Sequence, residues 1–239
     1  MQSYETFARF YDPVQGDRAE HAAYVRTLID RHHPAARTVL ELACGTGSIL
    51  KQLQPDFEVT GVDLSPTMLA IAAEKVPEAR LVHADMTKVS LGETFDVVLC
   101  LYDSINHLLV FEQWESLFDR AREHLSDRGV FVFDINTEYR LGELAAQPQQ
   151  AIRFGNDDLL LMDVVDAEEA GLVVWQLQIF ERVEGSLYRL HSERIPEVSF
   201  GVERIRGSLG ARFRRVRVYD SRRARPSAKS CRLHFACET

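Results

Sequence analysis

Glu41, the glycine pair Gly45 and Gly47, and Asp63 are the residues of this chain whose types and spacing could hold a charged ligand. The run Thr38 to Ser48, TVLELACGTGS, is an apolar strand that empties directly into a glycine turn. Two glycines let the backbone take conformations, and approach a ligand, as residues with a Cβ cannot, and a following helix would point free N–H groups at whatever sits there. Phe57 to Val62 reads as a second strand ending in Asp63. That lies about 20 residues beyond the first strand's turn, the spacing at which a carboxylate grips a ribose hydroxyl in nucleotide-binding α/β folds. Together these features describe an adenosine-type pocket.

The same residues argue against a dinucleotide. Ile49 and Leu50 stand where the third glycine of the dinucleotide fingerprint would come. Glu41, at the carboxyl end of its strand, would repel a diphosphate and attract a cation. A sulfonium ligand carrying an amino group suits that field better than a nicotinamide dinucleotide.

Elements that could position such a pocket follow in order. Strands are expected over Thr38 to Ala43, Phe57 to Asp63, Ala79 to Ala84, Phe95 to Leu101 and Gly129 to Asn136, alternating with helices, which implies βαβ units and a parallel sheet. Ser65 reads as an N-cap with Pro66 at the first helical position, opening a helix over Thr67 to Lys75. Leu117, Phe118, Ala121, Arg122 and Leu125 make one helical face before the fifth strand. Beyond Asn136 the pattern turns antiparallel: Ala151 to Phe154, Leu159 to Val165, Leu172 to Glu181 and Ser186 to Arg194 read as strands between turn signals. A helix near Val198 to Leu209 and strands near Arg212 to Tyr219 and Ser230 to Cys237 then resume the α/β frame. The expected organisation is a helical N-terminal cap over 1–36, a ligand-binding core over 37–140, an antiparallel insertion over 141–196 and a C-terminal part of the core over 197–239. In open parallel sheets, ligands bind beyond the carboxyl ends of the strands where the connection order reverses. The insertion can reach the same mouth as a substrate lid or a dimer surface.

ELACGTG, GVDLSPTML, HADMT and FDVVLCLYDSINHL, taken in order, resemble the successive motifs of class I S-adenosylmethionine-dependent methyltransferases. The resemblance covers roughly residues 4 to 140, and its N-terminal half is similar to small-molecule enzymes such as the amino-sugar N,N-dimethyltransferases. It implies a Rossmann-like seven-stranded α/β sheet with an antiparallel β insertion after strand five, with S-adenosylmethionine as cofactor. Glu41, Ala43, Gly45, Thr46 and Gly47 would meet its methionine part, and Asp63 would accept from the ribose hydroxyls. Leu64 and Met68 would pack on the adenine, with Asp85 and Met86 at its edge, although Asp85 also suits a plain turn. Cys100, Leu101 and Tyr102 would present backbone carbonyls to the sulfonium and its amino group.

Tyr4 and Tyr11 lie on a segment that in this family folds across the cofactor, where a phenol can bond its carboxylate or reach the methyl. Tyr11 is followed by Asp12 as in relatives, and packing of Phe7, Phe10 and Tyr11 into the core is the rival reading. Methyl transfer is an in-line displacement that needs alignment, then disposal of one proton, and no metal. His107 matches the family's histidine in the Ser-Ile-x-His-Leu setting and is the candidate base, with helix capping as the alternative. Asn106 stands where relatives carry glycine. The segment lacks the Asn/Asp-Pro-Pro-aromatic pattern of enzymes that methylate amides or bases, which counts against nucleic acid and protein acceptors and favours a small molecule.

Composition sets outer limits. The chain has 239 residues, 46% of them apolar, enough for a sizeable core. It shows no 18-residue apolar run and no leader-like N-terminus, so no membrane contact and a cytoplasmic location are expected. Cys44, Cys100, Cys231 and Cys237 lack metal or redox spacing. The net charge of −8 hides an asymmetry: after residue 203, eleven Lys and Arg oppose only Asp220 and Glu238. That basic stretch suits a solvated edge hairpin or a phosphate on the acceptor. Trp114 and Trp175 read as packing, and His32 and His33 as loop residues without an acidic partner. His191, Glu193 and Arg194 return toward the mouth at the end of the insertion. The chemistry expected is methyl transfer to an amine or hydroxyl of a small molecule, by a chain that could form a homodimer; a non-catalytic cofactor-binding scaffold is the alternative.

Overall fold

The computed structural model describes residues 6–167 and 171–239. Its main sheet holds β1 (Thr38–Leu42), β2 (Glu58–Asp63), β3 (Arg80–His83), β4 (Phe95–Cys100), β5 (Leu125–Asn136), β10 (Arg215–Tyr219) and β11 (Arg232–Glu238). The spatial order is β10-β11-β5-β4-β1-β2-β3, parallel from β5 through β3, with β11 antiparallel to β5 and β10 antiparallel to β11. The connection order reverses between β1 and β4, so the mouth of the sheet lies there.

Alternation along the central strands explains why both faces are covered. Val39, Val97 and Leu99 point to one face with Val25, Leu28 and Ile29 of α2 (Ala19–His32) and Leu50 and Leu53 of α3 (Ser48–Leu53). Leu40, Leu42 and Val98 point to the other, beneath Trp114, Leu117 and Phe118 of α5 (Phe111–Glu123) and Ile205 and Leu209 of α7 (Val202–Gly210). Phe133 stacks on Phe235 with ring centroids 4.7 Å apart across the β5–β11 pair, joining the antiparallel edge to the parallel core. Ser65 caps α4 (Pro66–Lys75) as its sequence implies, accepting from the Met68 N–H at 3.1 Å.

A second, antiparallel sheet is inserted after β5. It runs β6 (Gln150–Phe154), β7 (Asp158–Asp166), β8 (Leu172–Glu184) and β9 (Leu187–Val198) in sequential order. Two helices fasten it. Phe7 and Phe10, at the start of α1 (Ala8–Gln15), pack on Leu160, Leu177, Ile179 and Ile195, each buried ring contributing about 2 kcal/mol. Leu141 and Leu144 of α6 (Glu138–Ala145) pack on Val164 and Val173. Polar links reinforce the first contact: Glu193 accepts from the Phe7 N–H at 2.9 Å, and Arg9 donates to Glu181, which also meets His191 at 2.8 Å.

Several boundaries differ from the sequence expectation for physical reasons. Leu125 belongs to β5 rather than to the preceding helix, because an irregularity in the β4–β5 pairing lets that strand begin early. Val198 closes β9, and α7 opens only at Val202. β1 stops at Leu42 because Ala43 takes a positive φ of 59°. Helix α6 was not expected; its signal is Thr137, whose side chain accepts from the Arg140 N–H at 3.1 Å, with Leu141 and Leu144 one turn apart. His32 does have an acidic partner: it ends α2, and its ring nitrogens meet Glu238 Oε1 and the Tyr219 hydroxyl, each at 2.9 Å. His33 lies 3.8 Å from Asp96. These partners come from sequence-distant elements.

Gly61 in the middle of β2 has a definite steric reason. A Cβ there would lie 2.7 Å from Leu50 Cδ1 and 2.8 Å from Cys44 Sγ. Gly61→Ala is expected to lower stability by about 1–3 kcal/mol through overpacking beneath the glycine turn, read as a reduced midpoint in urea unfolding; an unchanged midpoint would mean that both side chains yield freely.

Candidate active site

The two strands that flank the reversal end in left-handed backbone. After β1 come Ala43 (φ 59°), Gly45 (φ 54°) and Gly47 (φ 72°), and after β4 come Tyr102 (φ 56°) and Asp103 (φ 53°). Such angles are uncommon outside glycine and are costly when bulky side chains adopt them, so three non-glycine residues are held in unfavourable backbone at one mouth. A Cβ on Gly45 would meet no atom within 4 Å, whereas one on Gly47 would press on Ala72 at 3.1 Å. The first glycine therefore faces open space and the second faces a helix.

Carboxylates surround this turn. Glu41 is 3% exposed, and its Oε2 has no hydrogen-bond partner. Burial first, and then the charge of Asp63, push its pKa well above the usual carboxylate range. Asp63 accepts from the Gly45 and Ser65 N–H groups, both at 2.8 Å, and burial raises its pKa despite those bonds. Its two oxygens keep lone pairs for further donors. Leu64 beside it is 54% exposed, while Met68 is buried and Met86 half-buried. Asp85 is engaged in a turn, accepting from the Thr87 N–H and hydroxyl at 2.8 and 2.7 Å and pairing with Lys88. Cys100 and Leu101 are buried.

Helix α1 is bound to the glycine turn through Asp12. Its carboxylate accepts from Thr46 Oγ1 at 2.7 Å, Ser48 Oγ at 3.2 Å and Lys75 Nζ at 2.6 Å. Burial raises the Asp12 pKa, but the Lys75, Thr46 and Ser48 bonds outweigh it and the net shift is downward. The preceding residue, Tyr11, projects into a cavity of about 560 Å³. Burial drives its pKa up to about 12, and Arg18 donates to its hydroxyl at 3.4 Å. Tyr4 lies outside the described residues.

That cavity lies between α1, α2, the ends of β4, β5 and β11, and the inserted sheet, with Tyr11, Tyr102, Asp103, Trp175, Glu197 and Arg232 on its wall. Trp175 is thus a cavity residue as well as a packing one, whereas Trp114 is fully buried in the core and donates to the Leu108 carbonyl at 2.8 Å. Tyr102 is stacked on His21 with centroids 4.2 Å apart and capped by Arg18 at 3.8 Å. Arg232 pairs with both Asp134 and Asp103 and reaches Asn136 Oδ1 at 3.3 Å. Burial raises the pKa of Glu197 far above its usual value, with Asp103 adding to the effect.

His107 ends a 3₁₀ turn, Ser104–His107. Its Nδ1 lies 3.3 Å from the Pro196 carbonyl, and burial lowers its pKa. It does not reach the cavity wall, but sits with Asp103 and Glu197, the polar atoms of all three within 4.8 Å of one another. Asn106 is fully buried and braces the loop: it donates to the Asn136 and Val198 carbonyls at 3.0 and 2.8 Å and accepts from the Asn136 N–H.

Sequence reasoning missed His21, Asp103, Asp134, Glu197, Arg232 and His234. The available signal was polar residues within otherwise apolar strands, as Asp134 in VFVFDIN and His234 in RLHFAC.

A family model described as a methyltransferase domain matches residues 39–129. In sequence, the chain is 40% identical over 132 residues to a dTDP-3-amino-3,6-dideoxy-α-D-glucopyranose N,N-dimethyltransferase of Streptomyces fradiae. That match covers 53% of this chain and 52% of the relative, so the chain matches about half of that relative's length. The fold is similar to that of an S-adenosylmethionine-dependent methyltransferase of Clostridium acetobutylicum, with a TM-score of 0.84 at 24% identity over 98% of both chains. It is also similar to an amino pentose methyltransferase of Micromonospora echinaspora solved with S-adenosylmethionine, with a TM-score of 0.79 at 21% identity over 100% of this chain and 99% of that one. The seven-stranded methyltransferase sheet with its inserted antiparallel sheet agrees with the sequence expectation. Among the described residues no helix is long and apolar enough to cross a membrane.

The Asp12 cluster predicts a pH signature. A carboxylate with a depressed folded-state pKa adds stability above its unfolded value and loses it as pH falls through the folded value. Asp12→Asn is expected to unfold at a lower temperature than wild type at pH 7, by an amount within about 1 kcal/mol for this partly exposed pair. The gap should close as the pH drops below about 4; a gap constant down to pH 2.5 by circular dichroism melting would contradict the assignment.

Proposed function

We propose that this chain binds S-adenosylmethionine above the Gly45–Gly47 turn and transfers its methyl group to a nitrogen of a small molecule held in the adjoining cavity. The observation that carries the reading is Glu41: a buried carboxyl with an unpartnered oxygen beside an open glycine cradle calls for a cationic ligand. A cation would favour the ionised form of Glu41 that burial disfavours, whereas a diphosphate would oppose it. When bound, the cofactor supplies an electrophilic methyl on a sulfonium.

The chain's own residues would then divide the work. Glu41 and the backbone from Ala43 to Gly47, Thr46 included, would hold the methionine part, and the remaining lone pairs of Asp63 would take the ribose hydroxyls. Exposed Leu64 offers a face to adenine, with Met68, Asp85 and Met86 around it. The strand end Cys100, Leu101 and Tyr102 would direct carbonyls to the sulfonium. Tyr11 stands where cradle and cavity meet, so it orients the reacting groups, and the role proposed for Tyr4 is that of a phenol bonding the cofactor carboxylate or reaching the methyl. Alignment of nucleophile, methyl and sulfur then supplies most of the rate.

For the proton released by the amine, His107 is the proposed terminal acceptor, reached through Asp103, which lines the cavity. Burial lowers its pKa, which favours the neutral imidazole with a ring nitrogen that can accept. A sugar nucleotide is the acceptor class that fits best. The Streptomyces fradiae relative is named for an amino sugar on dTDP, and Arg140 and Arg222 line the cavity here, suited to a phosphate.

A thermal shift assay is expected to raise the melting temperature with S-adenosylmethionine and S-adenosylhomocysteine but not with NAD, because a ligand of the native state stabilises it by mass action. Asp63→Ala should weaken S-adenosylhomocysteine at least tenfold, and equal affinity would end the ribose assignment. In a labelled-methyl screen against amino sugars and their nucleotides, transfer is expected to amines. His107→Asn should cut turnover at least tenfold with cofactor affinity unchanged; full turnover would remove it as the base. Cofactor binding without transfer to any amine or alcohol would favour a scaffold.

A further inference from the structure

The wall of the cavity holds a group of polar atoms that the methyl-transfer reading leaves unused. His21 from α2, Asp134 from the middle of β5 and His234 from the middle of β11 bring potential ligand atoms within 4.8 Å of one another. Asp134 is fully buried and His234 is 1% exposed. Among the described residues, His21 Nε2, Asp134 Oδ1 and both ring nitrogens of His234 are buried without a hydrogen-bond partner. Each such atom costs about 1–3 kcal/mol if left bare, and four in one place point to something that fills them.

We propose that His21, Asp134 and His234 form a binding site for one divalent transition-metal ion of the zinc class, open on one side to the cavity. Two imidazoles and one carboxylate are a borderline N₂O donor set, suited to zinc or cobalt rather than to magnesium or calcium. Three protein ligands leave a further coordination position, and both histidines lie on the cavity wall, so that position faces the bound small molecule. Bonds of about 2.0–2.2 Å require ligand atoms roughly 3–4 Å apart, a closing that rotation of the two rings can supply.

The surroundings tolerate a cation. His234 and Asp134 face each other across the β5–β11 ladder, so their separation is fixed by backbone pairing. Arg232 takes Asp134 Oδ2 and leaves Oδ1 free. Asp134 favours positive charge at both histidines and Asp220 at His234, against Arg232 at both and Arg18 at His21. Tyr102 stacks on His21, and Tyr24 meets His234 edge-on with centroids 4.8 Å apart. The site stands on a different residue set from the cofactor turn, so it holds or fails independently of the methyltransferase reading.

Untagged protein stripped with a chelator and titrated with Zn²⁺ or Co²⁺ alone tests this. One-to-one uptake with micromolar or tighter affinity is expected, with the visible absorption of nitrogen-ligated Co²⁺. His21→Gln, on a partly exposed helix face, and His234→Gln should each weaken uptake at least tenfold, while a cooperative circular dichroism melt reports that each variant is folded. Absence of saturable binding to the folded wild type would overturn the site and leave these atoms to water or to the acceptor. Uptake that survives His21→Gln in folded protein would overturn it too, since the ion then sits elsewhere.

Discussion

Everything at the mouth of this fold depends on two adjacent strands ending at the same level in left-handed backbone. β1 gives way to Ala43, Gly45 and Gly47, and β4 to Tyr102 and Asp103. A strand that simply ran on would fill the space at the reversal with its own side chains. By turning sharply, the chain leaves an open cradle at Gly45, and among the described residues nothing bonds Glu41 Oε2. The strain at Ala43, Tyr102 and Asp103 is sustained because the strands beneath are fully buried on both faces and paired in register. Rigid sheet and strained rim are therefore one device.

Arg232 extends that device across the molecule. It lies on β11, an antiparallel strand added to the sheet, yet its guanidinium joins Asp134 of β5 to Asp103 of the β4 loop. Its two carboxylate partners hold its pKa above even the usual arginine value in spite of burial. Breaking one arm would leave a buried charge without its partner, which is costlier than the pair is worth. The antiparallel edge of the sheet thus fixes the shape of the cavity floor, and the basic composition of the C-terminal stretch is partly structural: Arg212 pairs with Asp119 and Arg214 with Glu238.

Legibility in the sequence followed the range of each interaction. The glycine turn, the Ser65 cap and the alternation of β1 and β4 are local patterns, and their elements form where those patterns lie. Leu125 was misread because an apolar residue three or four positions from Ala121 suits either a last helical turn or an early strand, and only its pairing partner Phe95 decides. His32 looked isolated because its partners, Tyr219 and Glu238, lie some two hundred residues away. Arg232, Asp134 and His21 come from three elements that only the sheet order brings together. A polar residue within an apolar strand announces that a partner exists but not which one.

The joint between cradle and cavity is a single turn of helix. Asp12 faces the glycine turn through Thr46, Ser48 and Lys75, while Tyr11 faces the cavity. The same helix rests on the inserted sheet through Phe7 and Phe10. A shift of α1 at the glycine turn would therefore also shift contacts that set the position of the inserted sheet. Neighbouring residues on one short helix thus link the two compartments. In the proposed in-line transfer, such a link would make alignment depend on both sides.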